Sequence, residues 1–177
     1  MCWSYNRQYG TQYLAAMPTN LYGPSDNYDL EKSHVIPALI RKFHEAKVSN
    51  QAAVMVWGTG TPKREFLYSD DMAQACVFLM NFADDAFQKL LAVDRNDGLP
   101  PLLNLGSGTD STIAELADMV KKVVGFNGDI VFDTTKPDGT VRKLMDSSRL
   151  NQLGWQLNTT LINGLELAYQ DFKKSQD

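Results

Sequence analysis

The feature that most constrains this chain is a short apolar run that stops on a proline. Residues 13–17 read Tyr-Leu-Ala-Ala-Met, and Pro18-Thr19-Asn20-Leu21-Tyr22-Gly23-Pro24 follows at once. The run suits a short buried strand, and the Pro/Asn/Gly composition after it reads as a loop. A strand that ends this way carries a side-chain amide and several backbone N–H groups to the carboxyl edge of a sheet. In open α/β sheets that edge is where ligands dock. On local composition alone, a turn in which Asn20 bonds its own backbone accounts for the segment equally well.

The remaining pattern alternates strands with helices. Residues 1–10 read as the tail of a helix closed by Gly10, which tolerates the left-handed C-terminal conformation. No good N-cap precedes it, and Trp3 and Tyr5 sit oddly at a true start, so a chain cut from a longer protein is expected; the alternative is a frayed terminal helix. A helix is expected over 33–46, with Ile36, Leu39, Ile40 and Phe43 on one face and Pro37 in its first turn, where a missing N–H costs little. Strands are expected at 52–57 and 64–68 around Gly58-Thr59-Gly60-Thr61-Pro62. A helical stripe of Met72, Ala75, Cys76, Leu79 and Met80 follows the acidic start Asp70-Asp71. Residues 84–101, with Asn96-Asp97-Gly98 and two prolines, read as a surface connection. A strand at 102–105 ends on Gly106-Ser107-Gly108, read as a strand-to-helix turn. Thr112 and Glu115 have capping-box spacing before a helix that runs to Gly125. A strand at 130–133, a polar stretch at 134–143 and helices near 147–153 and 160–173 complete an α/β or α+β pattern.

Several functions are disfavoured. The formal net charge of -4 argues against a nucleic-acid surface. The two cysteines, Cys2 and Cys76, make no disulfide framework, and Cys76 reads as a small buried hydrophobe. No apolar run has the length of a membrane span and no secretory leader is legible, so a soluble, cytoplasmic protein is expected. No cluster of His, Cys and acidic residues has metal-ligand spacing. Gly106-Ser107-Gly108 lacks the third glycine of a dinucleotide turn, since Ser111 stands at the sixth position. Pro62 prevents the Gly58–Thr61 segment from opening a phosphate-binding helix.

Five side chains are candidates for chemistry. His34 at a helix start is a natural proton donor next to a ketone, or a structural histidine; His44 reads as surface. Arg64 offers paired donors to a diphosphate, or is a strand-edge charge. Trp57 can stack on a nucleotide, or be core. Asp138, in Lys136-Pro137-Asp138-Gly139-Thr140, can accept from a guanine edge or ribose hydroxyls, or be a structural turn residue. Asn20 completes the set.

These segments together resemble the GDP-L-fucose synthase family of extended short-chain dehydrogenase/reductases. The resemblance rests on Pro18–Pro24, Ser33-His34-Val35-Ile36-Pro37-Ala38-Leu39, Trp57–Gly60 with Arg64-Glu65-Phe66-Leu67, and Lys136–Thr140 with Arg142-Lys143-Leu144. It runs from Asn6 to about Tyr169 and is weakest at 83–101. It implies an α/β fold, the C-terminal part of an NAD(P)-binding Rossmann-like enzyme: 1–24 a remnant of the dinucleotide domain, 25–177 mainly the domain that binds the GDP-sugar. Pro18, Thr19, Asn20, Leu21 and His34 then line the nicotinamide end of NADP(H), and His34 is the acid of a 3,5-epimerisation. Asn20, Lys42, Trp57, Arg64, Asp138 and Lys143 contact the GDP-sugar, with Arg142 a further phosphate contact. Lys42 stands where the family usually has arginine, which keeps the charge and loses the paired donors.

The family's Gly-rich NADP turn, its Tyr-x-x-x-Lys pair and its catalytic Ser and Cys are not expected among these residues. The isolated chain is therefore expected to bind NADP(H) weakly, to catalyse no reduction, and to self-associate through exposed strand edges. A stand-alone GDP-sugar-binding module and a related nucleotide-sugar epimerase or dehydratase are the competing readings.

Overall fold

The computed structural model describes residues 1–30, 32–91 and 101–176. Helix α1 (Cys2–Tyr9) closes on Gly10 in the left-handed region, and Gly10 N–H returns to the Asn6 carbonyl. Strand β1 (Ala15–Pro18) breaks at Thr19 and resumes as β2 (Asn20–Tyr22). Helix α2 (Val35–Val48), β3 (Ala53–Trp57), β4 (Lys63–Tyr68) and α3 (Ser69–Met80) follow. Next come α4 (Asp84–Leu91), β5 (Leu102–Leu105), β6 (Asp110–Thr112) and α5 (Ile113–Val124). The chain then forms β7 (Asp129–Asp133), β8 (Arg142–Lys143), α6 (Ser148–Gln152) and α7 (Leu161–Lys174).

Pairing is mostly parallel. β1 lies along β5, β2 along β4 and β3 along β7, all parallel; β4 also pairs with β6 antiparallel and with β8 parallel. The break at Thr19 is thus a change of partner, with Pro18 in register with Leu105 and Asn20 in register with Phe66. Two hydrophobic clusters flank this joint. One gathers Ile36, Leu39, Ile40 and Phe43 of α2, Leu116 and Val120 of α5 and Leu165 and Phe172 of α7. The other gathers Leu67, Ala75, Leu79, Leu103, Leu105, Leu150 and Trp155.

The structure alters several expectations. The Pro18–Pro24 segment is half strand, because the β4 edge supplies a ladder that local composition does not reveal. Residues 84–91 form helix α4, with Leu90 and Leu91 buried; Asn96-Asp97-Gly98 and the rest of the expected connection lie outside the described residues. Gly106-Ser107-Gly108 joins β5 to β6 and so precedes a strand, not a helix. Cys76 is only half-buried, and Met80 is 83% exposed, because α3 turns Ala75 and Leu79 inward instead. His44 is not a bare surface residue: its Nδ1 lies 3.0 Å from the Tyr169 hydroxyl and its ring packs edge-on to Phe172. The capping box at α5 is formed as read, with Thr112 Oγ1 accepting from Glu115 N–H at 3.1 Å.

Candidate functional site

A groove runs along the joint between the sheets. Its first part, about 500 Å³, is lined by Pro18 to Asp26, His34 and Ser69. A second part, about 230 Å³, shares Asn20, Leu21 and His34 with the first. A third, about 290 Å³, shares Val35, Arg64 and Ile113 with the second and adds Ser33, Lys42, Trp57, Pro137, Asp138 and Gly139. Through these shared residues the three parts adjoin one another in order from the Pro18–Pro24 segment past His34 to Trp57. Of the predicted site residues Lys143 and Arg142 line none of them; both are exposed on β8, with Lys143 in register with Arg64.

Each wall has a local cause. Asn20 donates its Nδ2 to the Glu65 carbonyl at 2.7 Å, which leaves its Oδ1 for a ligand. His34 is the N-cap of α2, yet its side chain makes no capping bond and stays exposed, so the imidazole is available to the groove. The Ser33 hydroxyl oxygen beside it is buried and has no hydrogen-bond partner among the described residues. Arg64 Nη1 donates to the carbonyls of Lys63 and Thr140, so the guanidinium pins the 138–140 turn against β4 while lining two parts of the groove. Asp138 accepts from Thr59 N–H at 2.9 Å and from Thr59 Oγ1 at 2.6 Å. The Thr59 hydroxyl first, then its amide, hold this carboxyl below its ordinary range. Gly58 permits the contact: its φ is 82°, and a Cβ there would lie 2.3 Å from Asp138 Oδ1.

Trp57 is 59% exposed at the end of β3, so it is not core. The Lys42 and Lys136 ammonium groups lie 5.1 Å and 5.5 Å from its ring centre, close enough for cation–π attraction. Burial pushes the Lys42 pKa below the ordinary lysine range. An aromatic face with two cations and a nearby arginine suits a base attached to phosphates.

Other expectations are corrected. Arg142 is not a free phosphate ligand, since its guanidinium is paired with both oxygens of Asp110. Asp138 lines the groove as expected of a contact residue, and in this conformation each of its oxygens also accepts from Thr59, which shapes the turn beside Trp57. A Tyr-x-x-x-Lys spacing does occur, at Tyr28–Lys32 and Tyr169–Lys173, but neither pair lines the groove. Tyr28 donates to the Ala168 carbonyl at 3.2 Å, and burial, with Asp171 and Asp26 nearby, pushes its pKa up to about 12. Burial raises Tyr169 as well, the reverse of an activated phenol. The Gly106–Gly108 turn cradles no phosphate, because the Gly108 amide donates to the Glu65 carboxylate at 2.8 Å. Sequence reasoning passed over Ser33, Lys136, Thr59 and Glu65; each adjoins a residue it chose, and the adjacency was the available signal.

Comparison with known proteins accords with this geometry. The profile of the NAD dependent epimerase/dehydratase family matches residues 1–90. The chain is 51% identical over 177 residues to the GDP-L-fucose synthase of Escherichia coli (strain K12), covering 100% of this chain and 54% of that protein. It spans about half the length of the curated relatives it matches. A GDP-6-OMe-4-keto-L-xylo-heptose reductase from C. jejuni superposes with a TM-score of 0.87 at 38% identity, over 100% of this chain and 58% of that one. A GDP-L-fucose synthetase from Naegleria fowleri bound to NADP gives a TM-score of 0.76 at 29% identity, over 92% of this chain and 47% of that one. The fold is that of Rossmann-like extended short-chain dehydrogenase/reductases, and the chain belongs to the NAD-dependent epimerase/dehydratase family.

Proposed function

We propose that this chain is the GDP-sugar-binding portion of a GDP-L-fucose synthase, with residues 1–24 belonging to the dinucleotide domain and 25–177 mainly to the sugar-nucleotide domain. The observation that carries the reading is the run of adjoining cavities, whose walls include every candidate residue except Lys143 and Arg142. Trp57, Lys42 and Arg64 hold the guanosine diphosphate. Asn20 and His34 stand at the sugar end, where His34 supplies the proton for epimerisation beside the 4-keto group.

Pro18, Thr19, Asn20, Leu21 and His34 fit the nicotinamide end of NADP(H): a free imidazole, the Asn20 oxygen and a strand-end backbone face one cavity. When bound, that cofactor supplies hydride to C4. These residues orient it and exclude water; none of them replaces a tyrosine acid at the C4 oxygen. The chain alone is therefore proposed to hold NADP(H) weakly and to catalyse no reduction. Exposed Trp3, Tyr5, Tyr9, Tyr13 and Met17 near α1 and β1 support self-association.

A second reading keeps the GDP and changes the sugar. Its support is the likeness to the C. jejuni heptose reductase, whose match spans the groove. Titration of GDP into W57A and R64A tests the reading. Stacking of a base on an aromatic contributes about 1–3 kcal/mol, and a hydrogen bond to a charged group about 1.5–3 kcal/mol. W57A is expected to bind GDP at least about fivefold more weakly and R64A at least about tenfold; unchanged affinity in both refutes this placement of the nucleotide.

A further inference from the structure

We infer that Glu65 is a positioning residue for the groove: its buried carboxylate holds the 106–108 turn and Met145, and its carbonyl holds Thr19 and Asn20. The binding arm of the argument rests on the GDP-sugar reading above.

Glu65 lies where β4 changes neighbours. Lys63 and Arg64 register with Arg142 and Lys143 of β8, whereas Phe66 to Tyr68 register with Asn20 to Tyr22 of β2. At this joint the Glu65 carbonyl accepts from Thr19 Oγ1 at 3.3 Å and from Asn20 Nδ2 at 2.7 Å. Its side chain is 0% exposed. One carboxylate oxygen accepts from Gly108 N–H at 2.8 Å, with Ser107 Oγ at 3.5 Å, and the other from Met145 N–H at 3.0 Å. Among the described residues no cation pairs with it. The Gly106 turn is moulded to it, since a Cβ at Gly106 would lie 2.4 Å from Glu65 Oε1.

A buried charge is costly unless hydrogen bonds compensate it, and an apolar side chain would fill the same space. What the carboxylate adds is geometry. It is acceptor-only, so both oxygens draw N–H groups inward, and such charge-assisted bonds are stronger than neutral ones. It thereby fixes the 106–108 turn and the segment two residues beyond Lys143. Its own backbone fixes Thr19 and Asn20, and Arg64, the preceding residue, lines the groove.

Glu65→Gln keeps the shape but sets an amide NH2 against one of two N–H donors. In the ligand-free chain, hydrogen exchange at Gly108 or Met145 is expected to quicken by about tenfold or more. Core amides of Phe43 and Val120 keep their protection. Glu65→Asp, which retains the charge but reaches less far, restores part of the difference and serves if the glutamine variant does not fold. In GDP titrations E65Q weakens binding, and E65D recovers part of the loss. Unchanged exchange, or core protection lost together with that of the Gly108 and Met145 amides, overturns the inference. Absence of GDP binding by the unaltered chain counts against the functional reading alone, and the exchange arm still decides the role of Glu65.

Discussion

Lys42 shows how one side chain carries both packing and chemistry. Its Nζ lies 3.4 Å from the Met55 carbonyl and over Trp57, in surroundings that depress its pKa. A bound diphosphate favours the charged form, so affinity is full below the free-state pKa and falls as pH rises through it. That fall is expected at lower pH than for an ordinary lysine. Calorimetry in buffers of different ionisation enthalpy should detect proton uptake on GDP binding at alkaline pH, and K42M should abolish it. Asp138 has the opposite sign. Its folded-state pKa is depressed, so its contact with Thr59 is complete above the ordinary aspartate range and is lost as pH falls through the lowered value. The Thr59 amide proton, followed by NMR, should therefore hold its position through the ordinary aspartate range and move only below it; D138N should show the moved position at every pH. At this scale the sequence named most of the groove, because motif residues are chosen for chemistry. It did not reveal that Asp138 and Arg142 already have partners, since pairing partners lie 79 and 32 residues away.

Helices were legible where an apolar stripe and a cap agree. α5 has both, with Thr112 at the N-cap, Gly125 at its end and Leu116, Ala117 and Val120 buried. T112A is expected to lower stability by about 1 kcal/mol, read as a shifted urea midpoint with an unchanged slope. Strands β6 and β8 were not legible. They are three and two residues long and polar, so no alternation can mark them; they exist because β4 offers both edges. The partner change at Thr19 was hidden for the same reason. A proline-bounded stretch reads as a loop until a second strand is found to receive Asn20, Leu21 and Tyr22.

The whole molecule is organised around that partner change, with one apolar cluster on α2, α5 and α7 and a second around β5, α3 and α6. The groove is lined mainly from the first, by Ile36, Leu39, Val56 and Phe66, with Leu21 packed against the second. Among the described residues no helix is long and apolar enough to cross a membrane. The aromatic face of α1 with Met17 predicts self-association: sedimentation velocity should show a concentration-dependent species heavier than the monomer, and Y9E with M17E should shift the distribution to monomer. Turnover belongs to this scale too. Purified chain given NADPH and the GDP-4-keto sugar should show no stoichiometric oxidation of NADPH, whereas sustained oxidation would mean that these residues supply their own acid. A calorimetric titration of the chain with GDP and, in parallel, UDP tests the placement of the nucleotide. Saturable GDP binding is expected, with UDP at least about tenfold weaker. Equal binding of the two, or none of GDP, contradicts that placement.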